Sequence, residues 1–474
     1  MSRLRWWIAA AAAAAAIAAL SPADALAHGL VGRADLPVPG WLFGWAAAIV
    51  LIVSFGALAA LWPRPRLQEP SERRLFRLPE PVVWLFGLVG VALFALVVWA
   101  GFDGTKEAAA NLAPNVIYVH FWVGLVVASL LFGDVFSALN PWRAVGRAAG
   151  WVARRAAGGR LRPPLTYPEA WGRWPAALGI LGFAWLELAY AYKADPRILA
   201  RISLGYFAVQ LVGMALFGVE TWCGRADPFG VYFNLYSRLA ALVRRDGVVY
   251  ARPPLSGAPS YPLLPGTVAL LAVAIGSTTF DGFSNGPVWA SIAPDLQSFF
   301  GHLGAGVVGR VELASTVGLV GCVLLVGLFY RIGVTGMESV GEGHRARELA
   351  GRFVHTLIPI AFAYALAHYF SLLIYQGQSV HFLISDPLND GSNLFGTAHS
   401  TIDYSIISGA GIWYVQVGAL VCGHVAGLVL AHDRAVALYR SSRDATRSQY
   451  WMLVVMVGFT SLGLWLLSAV NGTG

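Results

Sequence analysis

The stretch Val82–Gly101 reads VVWLFGLVGVALFALVVWAG and carries no charge at any position. As an α-helix it would be about 30 Å long, the thickness of a bilayer's hydrocarbon core. In lipid, most other conformations would leave backbone N–H and C=O groups without partners. The stretch therefore predicts a transmembrane helix. Comparable runs recur along the chain at 41–62, 116–139, 174–192, 201–221, 263–280, 308–331, 353–375, 407–431 and 450–470. With 82–101 they make ten expected spans. Composition points the same way: 57% of residues are hydrophobic and 12% charged, against about 25% charged in soluble domains. The expected fold is an all-α integral membrane protein.

Met1–Ala27 reads as a cleavable secretory signal. Arg3 and Arg5 precede an Ala-rich apolar run, and Ala25-Leu26-Ala27 supplies a small-residue cleavage site. Residues 28–474 then form a single polytopic membrane domain. Cleavage would make His28 the first mature residue. Its free α-amine and imidazole would form a two-nitrogen chelate for a divalent metal, zinc or copper.

Charge sets the orientation. The segments 63–81, 140–173, 222–262, 332–352 and 432–449, with Arg331 at a span end, hold 25 of the 33 Lys and Arg residues. The intervening segments hold six: Arg33, Lys106, Lys193, Arg197, Arg201 and Arg310. The positive-inside rule makes the first set cytoplasmic and places both mature termini outside a bacterial inner membrane. The net charge of +8 is thus a bilayer signal, and no nucleic-acid partner is expected. Residues 143–156 have a basic amphipathic pattern suited to the inner lipid surface. The segment from Trp222 is expected to continue into another short interfacial helix.

Several chemistries are disfavoured. Cys223, Cys322 and Cys422 show no CxxC or CxxCH spacing, which argues against c-type haem, iron–sulfur and disulfide frameworks. There is no GxxxxGK[ST], so ATP-driven transport by this chain alone is not expected. His355 and His368 point roughly 140° apart on one helix, which disfavours two stacked haems, while one haem b between His368 and His424 is an alternative.

The outer segments concentrate cation-binding groups. They carry His28, Asp35, Asp103, Asp281, Asp295, His302, His381, Asp386, Asp390, His399 and Asp403, with His120 at a span border. The loops 281–306 and 376–406 contain no Lys or Arg. Such a surface suits a divalent metal, with His28, His120, His381 and His399 as candidate ligands. Asp103, Asp281 and His368 are the candidate catalytic groups. Phe102-Asp103-Gly104 and Phe280-Asp281-Gly282 end two spans alike, a weak echo of a duplication.

Ionisable residues also fall inside spans: Asp134, Glu187, Glu220, Glu312, His368 and His424. In lipid such groups face a bundle interior or a wet cavity. Tyr364, His368, Ser371 and Tyr375 share one helix face. That face reads either as the wall of an outward-opening cavity or as a hydrogen-bonded helix seam. Gly423 and Gly427 form a GxxxG for close helix packing, beside His424.

A family resemblance emerges from several motifs. The start His28-Gly29-Leu30-Val31-Gly32-Arg33-Ala34-Asp35-Leu36-Pro37 is one. Gly133-Asp134-Val135-Phe136, Asn140-Pro141-Trp142-Arg143 and Arg225-Ala226-Asp227-Pro228-Phe229-Gly230 are others. The closest run, 355–466, includes Ala367-His368-Tyr369-Phe370-Ser371, Ser385-Asp386-Pro387-Leu388, Ala431-His432-Asp433-Arg434 and Arg447-Ser448-Gln449-Tyr450-Trp451. Over nearly the whole mature chain it resembles bacterial multi-pass membrane proteins labelled fenitrothion hydrolase. The resemblance implies hydrolysis of a small apolar organophosphorus triester with release of a nitrophenol. A metal would polarise the phosphoryl group, and a carboxylate or His would act as base. The same residues also fit a transporter of a metal or small solute, or a membrane protein for metal delivery or assembly.

Overall fold

The computed structural model describes residues 40–470, except 70, 160, 161 and 341. The signal, its cleavage site and His28 lie outside the described residues.

The chain is mostly helical. In order, the main elements are α1 (Gly40–Leu61), β1 (Arg73–Arg77), α2 (Glu80–Asp103), α3 (Leu112–Phe132), α4 (Pro141–Ala156), α5 (Trp174–Leu188), α6 (Pro196–Phe217), α7 (Val219–Arg225), α8 (Pro228–Ser237), β2 (Leu242–Arg245) and β3 (Val248–Ala251). There follow α9 (Thr267–Ser284), α10 (Pro287–His302), α11 (Val307–Glu338), α12 (the helical run Ala346–Leu383), α13 (Gly409–Leu438), α14 (Ser442–Ser448) and α15 (Tyr450–Val470). Among the described residues eight helices are long and apolar enough to cross a membrane: α1, α2, α3, α6, α9, α11, α12 and α13. The other two expected spans are also helical, as the shorter α5 and as α15.

Helices α9 and α12 form the centre. Most of α9 from Leu270 to Phe280 is buried, as is α12 from Leu357 to Ala365. Around them stand helices with exposed apolar faces, such as Leu88 and Leu93 on α2 and Leu324 and Leu328 on α11. The seam between α12 and α13 is the expected glycine contact. A Cβ at Gly423 would lie 2.2 Å from Ala363 Cβ and 2.8 Å from the Pro359 carbonyl oxygen. No side chain larger than hydrogen fits there without moving a helix.

The inter-helix segments sort into two sets. On the Arg-rich side, β1 pairs antiparallel with β3, and β3 with β2, joining segments 63–81 and 222–262 in one small sheet. Segment 432–449 binds back to 63–81 and 332–352 through Asp433 and through the Arg440 N–H, which Glu342 accepts. On the opposite side, Thr105 N–H donates to the Leu388 carbonyl and Tyr118 to that of Lys193. Segments expected on one face thus meet segments expected on the same face.

Three expectations change. The 222–262 segment carries a buried helix and a β-hairpin in place of an interfacial helix. Phe229, Val231, Tyr232, Phe233, Leu235 and Tyr236 of α8 are all buried, because the segment is apolar on every side. The hairpin turns on Asp246-Gly247, both with positive φ, as a two-residue turn between twisted strands demands. The 281–306 segment is mostly helix α10, started by Pro287 in its first turn, so Asp295 and His302 are helical residues. Finally, α9 runs on to Ser284, which carries Asp281 from an expected loop into the bundle.

The motifs of the Arg-rich side hold the fold together. Asp227 is fully buried and accepts from Asn140 Nδ2 (3.0 Å), Trp142 Nε1 (2.7 Å) and the Tyr206 hydroxyl (2.7 Å). Its carboxylate joins the Asn140-Pro141-Trp142 and Ala226-Asp227-Pro228 motifs. Asp134 accepts from Ser137 N–H and Asn234 Nδ2. Glu220 binds both Arg143 and Arg147. Asp433 gathers the chain after α1, accepting from Trp62 Nε1, Arg66 N–H, Leu67 N–H and Gln68 Nε2.

Candidate functional site

The polar residues of the bundle interior converge at one place. On α9, Asp281 sits one residue after the buried Phe280. On α12, His368 and Tyr369 are consecutive, about 100° apart around the helix. Both reach the same carboxylate oxygen: His368 Nε2 lies 2.9 Å from Asp281 Oδ2, and the Tyr369 hydroxyl donates to it at 2.8 Å. From α5, Glu187 lies near enough to Asp281 for their charges to interact.

This cluster is interior without being sealed. The His368 and Asp281 side chains keep 23% and 18% of their surface accessible. Gly282 faces the other imidazole nitrogen, and even a Cβ there would stand 3.7 Å from His368 Nδ1. A carboxylate on Nε2 fixes that nitrogen as the proton carrier, leaving the Nδ1 lone pair. Asp281 thus orients the ring and would stabilise the imidazolium after proton uptake. The arrangement is a base held by an acid, with a second carboxylate, Glu187, close by.

Two other residues of the His368 face are committed elsewhere. The Tyr364 hydroxyl donates to the Phe459 carbonyl oxygen at 2.9 Å and the Tyr375 hydroxyl to that of Ile407 at 2.9 Å. The helix-seam reading describes Tyr364, whose partner lies on α15, while Tyr375 ties the helix to the loop before α13 and His368 between them meets Asp281. His424 bonds the Leu420 carbonyl through Nδ1 at 2.8 Å and lines a water-sized void of about 40 Å³.

Of the expected catalytic residues, Asp281 and His368 are brought together. Asp103 is exposed at the end of α2, so the two Phe-Asp-Gly tripeptides occupy different environments. Of the expected metal ligands, His381 and His399 are exposed near the 384–406 loop. His120 is held in α3, with Nε2 3.1 Å from the Gly377 carbonyl oxygen. Among the described residues no group of three or more His, Cys, Asp or Glu side chains is arranged to hold a metal ion. Tyr369 and Trp122 escaped the sequence reading, since neither is ionisable at ordinary pH nor on the polar face of its helix. The one signal for Tyr369 was its adjacency to His368.

The α3 backbone is unusual. From Val116 to Gly124 it is π-helical, with Tyr118, His120 and Trp122 inside the widened turns. Such stretches are rare and recur at functional sites. Comparison with protein families, curated proteins and solved structures finds no match.

Proposed function

We propose that this protein is a membrane-embedded hydrolase of a small, uncharged ester of the organophosphorus triester class, with His368 as its general base. The observation that supports this reading is the Asp281–His368 pair at 2.9 Å, with Nδ1 left for water beside Gly282. A water molecule at Nδ1 gives its proton to the imidazole while its oxygen forms the new P–O bond. The aryloxide leaves with the electrons of the broken P–O bond, and the imidazolium returns the proton to it. Tyr369 holds the shared Asp281 oxygen and so positions the pair. An apolar triester would reach such a site from lipid. In this reading the chain lies in a bacterial cytoplasmic membrane with its Arg-rich face inward, as its charge asymmetry implies. A bound zinc or copper ion remains part of the proposal only through the exposed histidines and His28.

The test is nitrophenolate release from an aryl phosphotriester by the purified protein in nanodiscs. His368→Gln and Asp281→Asn should each lower kcat by about 10²–10⁴ with little change in KM. Undiminished turnover in both variants would refute the base assignment, and no turnover in the native protein would refute the activity.

One observation favours a second reading. Glu187, Asp281 and His368 come from three helices, α5, α9 and α12, and interact inside the bundle. Titratable groups so placed suit a proton-coupled carrier. Proton uptake into proteoliposomes that requires a co-solute, and is lost in Asp281→Asn, would favour that reading.

A further inference from the structure

The basic helix α4 is only half docked. Pro141 and Trp142 at its start are buried. Its first turns pack on two spans near their Arg-rich ends. A Cβ at Gly87 of α2 would lie 3.0 Å from Ala144 Cβ, and one at Gly146 would lie 2.9 Å from the Met214 sulfur on α6. From Trp151 to Gly159 every residue is exposed. The last turns of α4 therefore stand clear of the bundle.

This free end has two chemically different sides. At about 100° per residue, Arg154 falls on the same side as Arg143 and Arg147. Ala148, Ala149, Val152, Ala153 and Ala156 make the opposite side. Trp151 and Arg155 lie at the border, with the Arg155 guanidinium 5.6 Å from the Trp151 ring centroid. Trp151 and Val152 are 53% and 57% exposed. An apolar side bordered by Trp and Arg suits the headgroup layer of a bilayer, where the apolar side meets acyl chains and the guanidiniums meet phosphates.

The charges along the helix are unequally committed. Glu220 binds both Arg143 and Arg147. Among the described residues no carboxylate pairs with Arg154 or Arg155. The segment 140–173 holds seven arginines and a single acid, Glu169, and that acid binds Arg225. Two unpaired guanidiniums on an exposed arm complement an anionic surface.

We infer that the free end of α4 is a binding site for acidic phospholipid, with Arg154 and Arg155 on the headgroup phosphate and the Val152 side against the acyl chains. Such a site requires the Arg-rich face to lie at a bilayer surface, as proposed above, and is independent of ester hydrolysis.

The experiment is native mass spectrometry of the full chain in detergent, titrated with phosphatidylglycerol or with phosphatidylcholine of the same acyl chains. The native protein should bind its first phosphatidylglycerol more tightly than its first phosphatidylcholine. Arg154→Gln/Arg155→Gln should weaken phosphatidylglycerol about thirtyfold, the effect of two interfacial arginines, and leave phosphatidylcholine unchanged. Arg345→Gln/Arg347→Gln removes the same charge from exposed positions on the same side and should change neither affinity. Glycerol phosphate, which carries the anion without the chains, should not displace the lipid at equal concentration. Equal affinity of the native protein for the two lipids would overturn the site. So would undiminished phosphatidylglycerol binding in Arg154→Gln/Arg155→Gln, or an equal loss in Arg345→Gln/Arg347→Gln. Displacement by glycerol phosphate would overturn the assignment to a lipid.

Discussion

Removing the Asp433 carboxylate should release the chain that follows α1. Four donors converge on it: Trp62 Nε1 at 2.9 Å, Arg66 N–H at 2.5 Å, Leu67 N–H at 3.2 Å and Gln68 Nε2 at 2.7 Å. Hydrogen bonds to a charged acceptor contribute about 1.5–3 kcal/mol each. Arg66 is exposed and Gln68 is half-buried, so water replaces Asp433 for those two donors in Asp433→Ala. Leu67 is buried, and the half-buried Trp62 indole is held in place by its ring, so losing these two donors sets a cost of about 3 kcal/mol at the low end of that range. At 1.4 kcal/mol per decade, the locally open state becomes about 100-fold more populated. The assay is limited trypsinolysis of the protein in nanodiscs, followed by mass measurement of the fragment beginning at Leu67. The Arg64–Pro65 bond resists trypsin, so Arg66–Leu67 reports on this segment. When opening and closing are fast relative to cleavage, the cutting rate follows the open population. Asp433→Asn keeps one acceptor oxygen and should raise the rate about tenfold, midway on that scale. A cutting rate in Asp433→Ala within threefold of the native rate would refute the reasoning.

Asp227→Ala leaves the buried Asn140 and Trp142 donors and the half-buried Tyr206 hydroxyl facing a void and should cost about 3–5 kcal/mol, read as an earlier midpoint in denaturant titration with Tyr206→Phe as the milder comparison. Gly423→Ala forces a Cβ within 2.2 Å of Ala363 Cβ and should cost about 1–3 kcal/mol. Gly418→Ala on the same helix, with nothing within 4 Å, should be neutral or slightly stabilising by the same denaturation measurement. Gly282→Ala puts a methyl 3.7 Å from His368 Nδ1 and should lower ester turnover more than it lowers stability, a split read from kcat and unfolding midpoints together.

Hydropathy made the helices legible. Each of the ten apolar runs is helical, and the Arg distribution sorted the connecting segments into the two sets that actually meet. What hydropathy hid was everything that is not a span. Arg244-Arg245-Asp246-Gly247-Val248-Val249 carries a clear hairpin signal, a two-residue Asp-Gly turn between β-prone residues. The start of the segment, which reads like an amphipathic helix, masks it. The Asp281 error has a related cause. A Phe-Asp-Gly at the end of an apolar run reads as an exit because Asp and Gly both disfavour helices. At Asp103 that reading is right. At Asp281 the helix continues, since the partners His368 and Tyr369 on a distant helix repay the buried carboxylate. No local pattern carries that information. Convergence of Glu187, Asp281 and His368 is likewise a property of three helices and not of any spacing.

The polar motifs of the chain divide by face, and the division bears on where chemistry can occur. Asn140-Pro141-Trp142, Ala226-Asp227-Pro228 and His432-Asp433-Arg434 all lie on the Arg-rich side; the first two bind each other, and the third binds the chain after α1, Gln449 and Pro259. Asp227 takes three donors and Asp433 four. His432 lies between the Trp62 carbonyl and Gln449, and Arg434 donates to the Pro259 carbonyl. Groups so fully committed are poor candidates for binding a substrate, because a substrate would have to displace contacts that hold the fold. The Ala367-His368-Tyr369 motif differs. There one carboxylate oxygen takes both neighbours, Nδ1 is left over, and the side chains keep accessible surface inside the bundle. Uncommitted valence in a partly accessible interior is what a proton-transfer site requires, and this motif combines it with a partner carboxylate.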